Sequence, residues 1–140
     1  MEALLEKLIR VYRREIRIYR EIQELVVRQK EAILSGASYG EVNESLRAKR
    51  DLLLEIEKLE SEIRNEKELW QRRNRSHDGD SAATLMVLLA VVTESVEGIL
   101  EAERENELLL TTRRRRGLKP AIGSERARRR YQVHESVEGS

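Results

Sequence analysis

Cysteine is absent from this 140-residue chain, phenylalanine is absent too, proline occurs once, at Pro120, and aromatic residues make up 4%. The lack of cysteine removes any disulfide framework, thiolate chemistry or cysteine-based metal site, and it leans towards a reducing compartment. With one proline near the end, nothing of that kind interrupts a long helix before it. Gly-rich phosphate loops, Gly-x-Ser-x-Gly elbows and His-Glu-x-x-His stretches do not occur. His77 and His134 have no metal-ligand spacing to a second histidine. Carboxylates are numerous, but acid-base work needs a pocket that shifts their pKa values, and a Glu-rich helix supplies only chance pairs. The expectation is a non-enzyme with no catalytic residue, metal or cofactor. The longest apolar run, residues 82 to 92, is 11 residues, short of the roughly 20 a bilayer requires. It therefore reads as a buried helix segment with no membrane insertion. The opening Met-Glu-Ala-Leu-Leu-Glu-Lys lacks the basic-then-apolar order of a signal peptide, so the expected location is cytoplasmic.

What the chain has is helix-forming residues in heptad order. Ala, Glu, Lys, Leu and Arg account for 79 of 140 residues, and 38% are charged, the composition of coiled coils and long helices with a wide solvated face. Leu5, Tyr12, Tyr19, Val26 and Ile33 stand seven apart, with Leu8 and Ile22 interleaved. That spacing predicts a helix over about 2–34 with one apolar seam. The stripe also takes in Leu4, Ile9, Ile16, Leu25 and Val27, wide enough for more than one neighbour. Ser35-Gly36 supplies the stop, and Ser38-Tyr39-Gly40-Glu41 fits a capping box that opens a second helix, predicted to continue to about residue 73.

The second seam uses Val42, Leu46, Lys49, Leu53, Ile56, Leu59 or Glu60, Ile63 and Trp70. A polar turn at 74–81 follows, with Asp80 or Ser81 placed to cap a third helix. The third seam runs through Leu85, Leu89, Val92, Val96 and Ile99 to Asn106 and Leu110. Its first half is apolar nearly all round, so it is expected to be the most deeply covered segment. The fold class expected is all-α: a long antiparallel helical hairpin, a coiled coil, with a third helix packed alongside. Residues 1–116 form that helical domain and residues 117–140 a basic, flexible tail. The tail's few apolar residues, Tyr131, Val133 and Val137, would give a short amphipathic element one face if a partner ordered it.

Polar residues interrupt these seams at Glu15, Gln29, Lys49, Glu60 and Asn106. Such breaks fix register or oligomeric state at some cost in stability, or, at Asn106, offer an amide to a partner. Charge is distributed unevenly. From Arg113 onward there are nine basic and three acidic residues, net +6, against 18 basic and 23 acidic before it, net −5. Arg113 to Arg116 suit the negative end of a helix. Arg126 to Arg130 read as a solvated or partner-binding tail. Single-strand binders stack bases on aromatics, and only Tyr131 adjoins these runs, so nucleic acid is not the expected partner.

The arrangement resembles the FlgN family of flagellar export chaperones. The resemblance is carried by Gln29-Lys30-Glu31-Ala32-Ile33-Leu34-Ser35-Gly36 closing a long first helix, and by Val42, Leu46, Lys49-Arg50, Leu53, Ile56 and Leu59-Glu60 on the next. Glu105-Asn106-Glu107-Leu108-Leu109 late in the chain, and the overall length with a tail, complete it. The family's tail often has a Tyr with a Gly soon after; Tyr131 here has none close behind. The resemblance implies a cytoplasmic chaperone whose third helix binds the C-terminal helices of flagellar hook-filament junction proteins before secretion. Candidate partner contacts are then Leu85, Leu89, Val92, Val96, Ile99, Asn106, Leu109, Leu110 and Tyr131. A homodimer is expected when no client is bound. Two other readings of the same pattern stay open: a structural coiled-coil scaffold or adaptor subunit, and a nucleic-acid binder acting through the tail.

Overall fold

A computed structural model describes residues 2–73 and 79–115. The expected fold class holds: the described residues are helical, and the helices pack on one another. They form α1 (Glu2–Leu34), α2 (Tyr39–Glu62), α3 (Arg64–Arg73) and α4 (Asp80–Arg115), with no strand among the described residues. The tail from residue 116, Tyr131 included, and residues 74–78 with His77 lie outside the described residues.

α1 ends as its sequence dictates. Gly36 takes φ +74, which a side chain resists, and nothing stands within 4 Å of where its Cβ would be. The Ala37 amide donates to the Ala32 carbonyl at 2.9 Å and the Gly36 amide to Ile33 at 3.3 Å. Two carbonyls of the last turn are thereby satisfied, as in a Schellman motif. Ser38 Oγ then accepts the Glu41 amide at 3.3 Å and starts α2.

Two details depart from expectation. The second helix does not run unbroken to residue 73. It divides at Ile63, whose amide donates to Glu60 at 3.3 Å, three residues back, while Ile63 itself is fully buried. At the start of α4 the Gly79 carbonyl accepts the Ala83 amide at 3.0 Å, and the Ser81 hydroxyl, expected as a cap, instead donates to Glu2 of α1.

The described chain divides into two compact units, each discontinuous in sequence. The first comprises residues 1–21 and 52–97. The apolar part of its core is Leu5, Leu8, Val11, Tyr12, Ile16 and Ile18 from α1, Leu53, Ile56, Leu59, Ile63 and Trp70 from the returning helices, and Ala82 and Leu85 from α4. Lys7 pairs with Glu66 at 2.6 Å and Arg14 with Glu55 at 3.1 Å. Partner numbers fall as α1 numbers rise, so the strands of helix run antiparallel here. Arg14–Glu55 is exposed and Lys7–Glu66 half-buried, and such surface pairs align the helices more than they stabilise them.

The second unit comprises, among the described residues, 22–51 and 98–115. Ile22, Val26, Ile33, Tyr39, Val42 and Ile99 form its apolar part. Four further buried side chains in this unit are polar: Gln29, Lys49, Glu103 and Asn106. Arg113 closes the unit at the α1–α2 turn. Its Nη2 donates to the Ala37 carbonyl at 2.8 Å, and its guanidinium stands 4.6 Å over the Tyr39 ring centroid. The first arginine of the basic run thus serves a turn that follows another helix's end, not only the terminus of its own.

Candidate functional site

α4 supplies the most unusual surface. An 18-residue window of this helix is apolar enough, by length and composition, to cross a membrane, and 11% of that window is buried. The window is longer than the uninterrupted apolar run of 11 residues because it admits up to two charged residues. The expected deep cover is missing: Met86 is 55% and Val87 62% exposed, and Leu88, Leu89, Val91, Val92 and Val96 are only half-buried. The physical reason is geometric. A helix apolar on all sides needs neighbours on all sides, and in the first unit the other helices cover the stripe centred on Ala82 and Leu85.

The partner-contact candidates separate by place. Leu85, Leu89, Val92 and Val96 lie in the first unit, and Ile99, Asn106, Leu109 and Leu110 in the second. Leu85 and Ile99 are core residues, whereas Leu89, Val92, Val96, Leu109 and Leu110 keep part of their surface in solvent. Tyr131 lies outside the described residues. The most exposed apolar side chains of α4 are Met86, Val87 and Leu108, which the seam positions passed over because a heptad seam selects the inward stripe.

Asn106 has an internal role. Its Nδ2 donates to the Val26 carbonyl at 3.0 Å and stands 3.5 Å from Gln29 Oε1. Beside it, Lys49 of α2 pairs with Glu103 of α4, with side-chain exposures of 7% and 2%. On the rim, Lys30 meets Glu105 at 2.7 Å. A buried charge is tolerated only when paired, so these contacts fix which turn of α4 lies against which turn of α1 and α2. Lys49, Gln29 and Asn106 were visible as seam breaks; Glu103, one helical turn from Asn106 and Ile99, hid among its many glutamates.

The first unit buries one carboxyl group. Glu15 is 0% exposed, and its carboxyl group lies against that of Glu60, to which it can donate a hydrogen bond when protonated. Burial, and then the neighbouring Glu60 carboxylate, push its pKa up to about 8, while Lys67 pulls the other way. Tyr12 next to it is raised for the same reasons, burial first. Lys67 pairs with Glu60 at 3.5 Å. The group is enclosed by core side chains, and no cluster of three metal-ligating side chains exists among the described residues.

Fold and surface together define an all-helical protein whose fourth helix keeps much of its apolar surface uncovered. No protein family, curated protein or solved structure matches this chain.

Proposed function

We propose that this protein is a flagellar export chaperone of the FlgN type, holding the C-terminal helices of hook-filament junction proteins and keeping them from assembling early. The observation that supports the reading most is the apolar surface of α4, with Met86 and Val87 more than half exposed. An amphipathic client helix buries its own apolar face in such a surface, and until export neither face then meets water. The sequence resemblance supplies the class of client; the exposed helix supplies a place for it. Catalysis has no part in the proposal, and the cytoplasm is where it would act.

The test is titration of the full chain with peptides spanning the C-terminal helices of junction proteins, followed by light scattering. The expected result is saturable binding in which any homo-oligomer of the chain is exchanged for a one-to-one complex. Met86→Glu with Val87→Glu should weaken binding at least tenfold while far-ultraviolet dichroism stays unchanged, since both side chains are exposed. A stable oligomer that ignores every junction peptide would overturn the proposal in favour of a scaffold subunit.

A further inference from the structure

The first unit carries a second feature, independent of hydrophobicity. Arg10, Arg13, Arg17 and Arg20 follow one another at three- and four-residue steps along α1, and all four are exposed. Those steps place them on a single stripe about 15 Å long. From residue 9 to residue 20 the only carboxyl group is Glu15, and it is buried. Exposed Glu6, Glu21 and Glu24, each four residues from Arg10, Arg17 or Arg20, flank this stripe, and between them its exposed charges are arginines alone. The stripe is not answered internally: Arg14, on the neighbouring face, pairs with Glu55, whereas Arg10, Arg13, Arg17 and Arg20 have no ion-pair partner among the described residues.

The stripe adjoins α4. Arg10, Arg13 and Arg17 line an open cleft of about 480 Å³ with Ile9, Ser81 and Thr84, and Glu6 and Asp80 are its acidic lining residues. Val87 stands one turn beyond Thr84 on the same side of α4. Guanidinium groups therefore border one side of an apolar surface on which no described residue lies. Four unpaired cations in a row repel one another, and a ligand that brings carboxylates relieves this while its apolar face covers α4.

We infer that the partner seated on this surface is an amphipathic helix whose flank is acidic, with Asp or Glu recurring at three- and four-residue steps opposite Arg10, Arg13, Arg17 and Arg20. This rests on the proposed docking of a client helix and adds the chemistry by which that helix is chosen. Charge at the edge of an interface selects partners and speeds encounter more than it adds affinity. A helix with a basic flank would be rejected by the same arginines. The registered rows also fix where along α1 the partner comes to rest.

Two synthetic helices with one shared apolar face, one flanked by Glu and the other by Lys, test this against the full chain. At 50 mM salt the Glu-flanked peptide should bind at least about tenfold tighter, three or four exposed charge contacts each giving roughly a twofold or larger effect. The preference should fade by 0.5 M salt. Arg10→Glu with Arg13→Glu and Arg17→Glu should reverse it, so that the Lys-flanked peptide regains binding; Arg-to-Gln versions should abolish the preference. Equal binding of the two peptides, with loss of both in the Met86→Glu and Val87→Glu variant, would overturn this inference and leave the docking surface standing. Binding of neither peptide would overturn both. Arginine-dependent capture by phosphatidylglycerol vesicles, with no binding of the Glu-flanked peptide, would overturn the inference and assign the stripe to an anionic lipid surface.

Discussion

Lys49 and Glu103 face each other as an ion pair in the core of the second unit, their side chains 7% and 2% exposed. The attraction between them must offset the cost of removing both charges from water, and a well-packed apolar pair would do the structural work at least as well. What the pair adds is exclusivity. A slip of α4 by one turn would leave two buried charges unmatched, and this is far more costly than losing an apolar contact.

A double-mutant cycle measures this. Lys49→Met alone and Glu103→Leu alone should each destabilise the chain by about 3–5 kcal/mol, because each takes the ion-pair partner from a charge that stays buried. The double variant should recover most of the loss. Urea denaturation monitored by circular dichroism reads all four corners, and strictly additive single effects would show that the two residues are not coupled.

Asn106 and Gln29 give the second prediction. Asn106→Leu removes the donor at 3.0 Å from the Val26 carbonyl and strips Gln29 of a neighbour. Gln29 stays buried, so the cost should be about 1–3 kcal/mol. Pairing Asn106→Leu with Gln29→Leu should return the stability to near the starting value. The double variant is also expected to be less specific in helix register, visible as broadened amide resonances for residues 98–115.

Glu15 predicts a pH dependence whose sign follows from linkage. Its folded pKa of about 8 lies above the ordinary 4.5. Below about 4.5 the folded and unfolded chains both hold the proton. Between 4.5 and 8 only the folded chain does, so stability is lost as the pH rises through that window. Glu15→Gln keeps the shape and removes the titration. The denaturation midpoint of the variant should exceed that of the parent at pH 8.5, by the equivalent of about 1–3 kcal/mol, and match it closely at pH 4.5. A parent whose stability is flat from pH 5 to 8.5 would contradict this.

Gly36 provides a test of the turn. At φ +74 an L side chain strains the backbone although space around it is open. Gly36→Ala should therefore cost about 1–2 kcal/mol, and Gly36→Asn, which tolerates this conformation better, distinctly less. Equal midpoints for the parent and the alanine variant in denaturant would mean that the turn rearranges without cost.

Much of this architecture could be read from the order of residues. Heptad spacing marked Leu5, Leu8, Tyr12, Tyr19, Ile22, Val26 and Ile33 as one seam, and all are buried except Tyr19, which is half-buried. Ser35-Gly36 and Ser38 set the first turn because their backbone preferences are local. Seam breaks at Glu15, Gln29, Lys49, Glu60 and Asn106 were visible as polar residues where apolar ones belong, and all but the half-buried Glu60 are enclosed by their units. Local rules were less informative at Ile63, where the second helix divides, and at Ser81, whose hydroxyl turns to Glu2 rather than to its own helix.

The sequence by itself determined that this protein is helical, where its first helix ends and which stripes face inward, since spacing along a helix and the conformational limits of glycine act within a few residues. Only the tertiary structure decided which side of α4 stays uncovered, that Glu103 is the residue answering Lys49, and that the arginines of α1 border a cleft with the start of α4. Those outcomes depend on how many neighbours a helix meets and on which residues distant in the chain come face to face, and no local pattern encodes either.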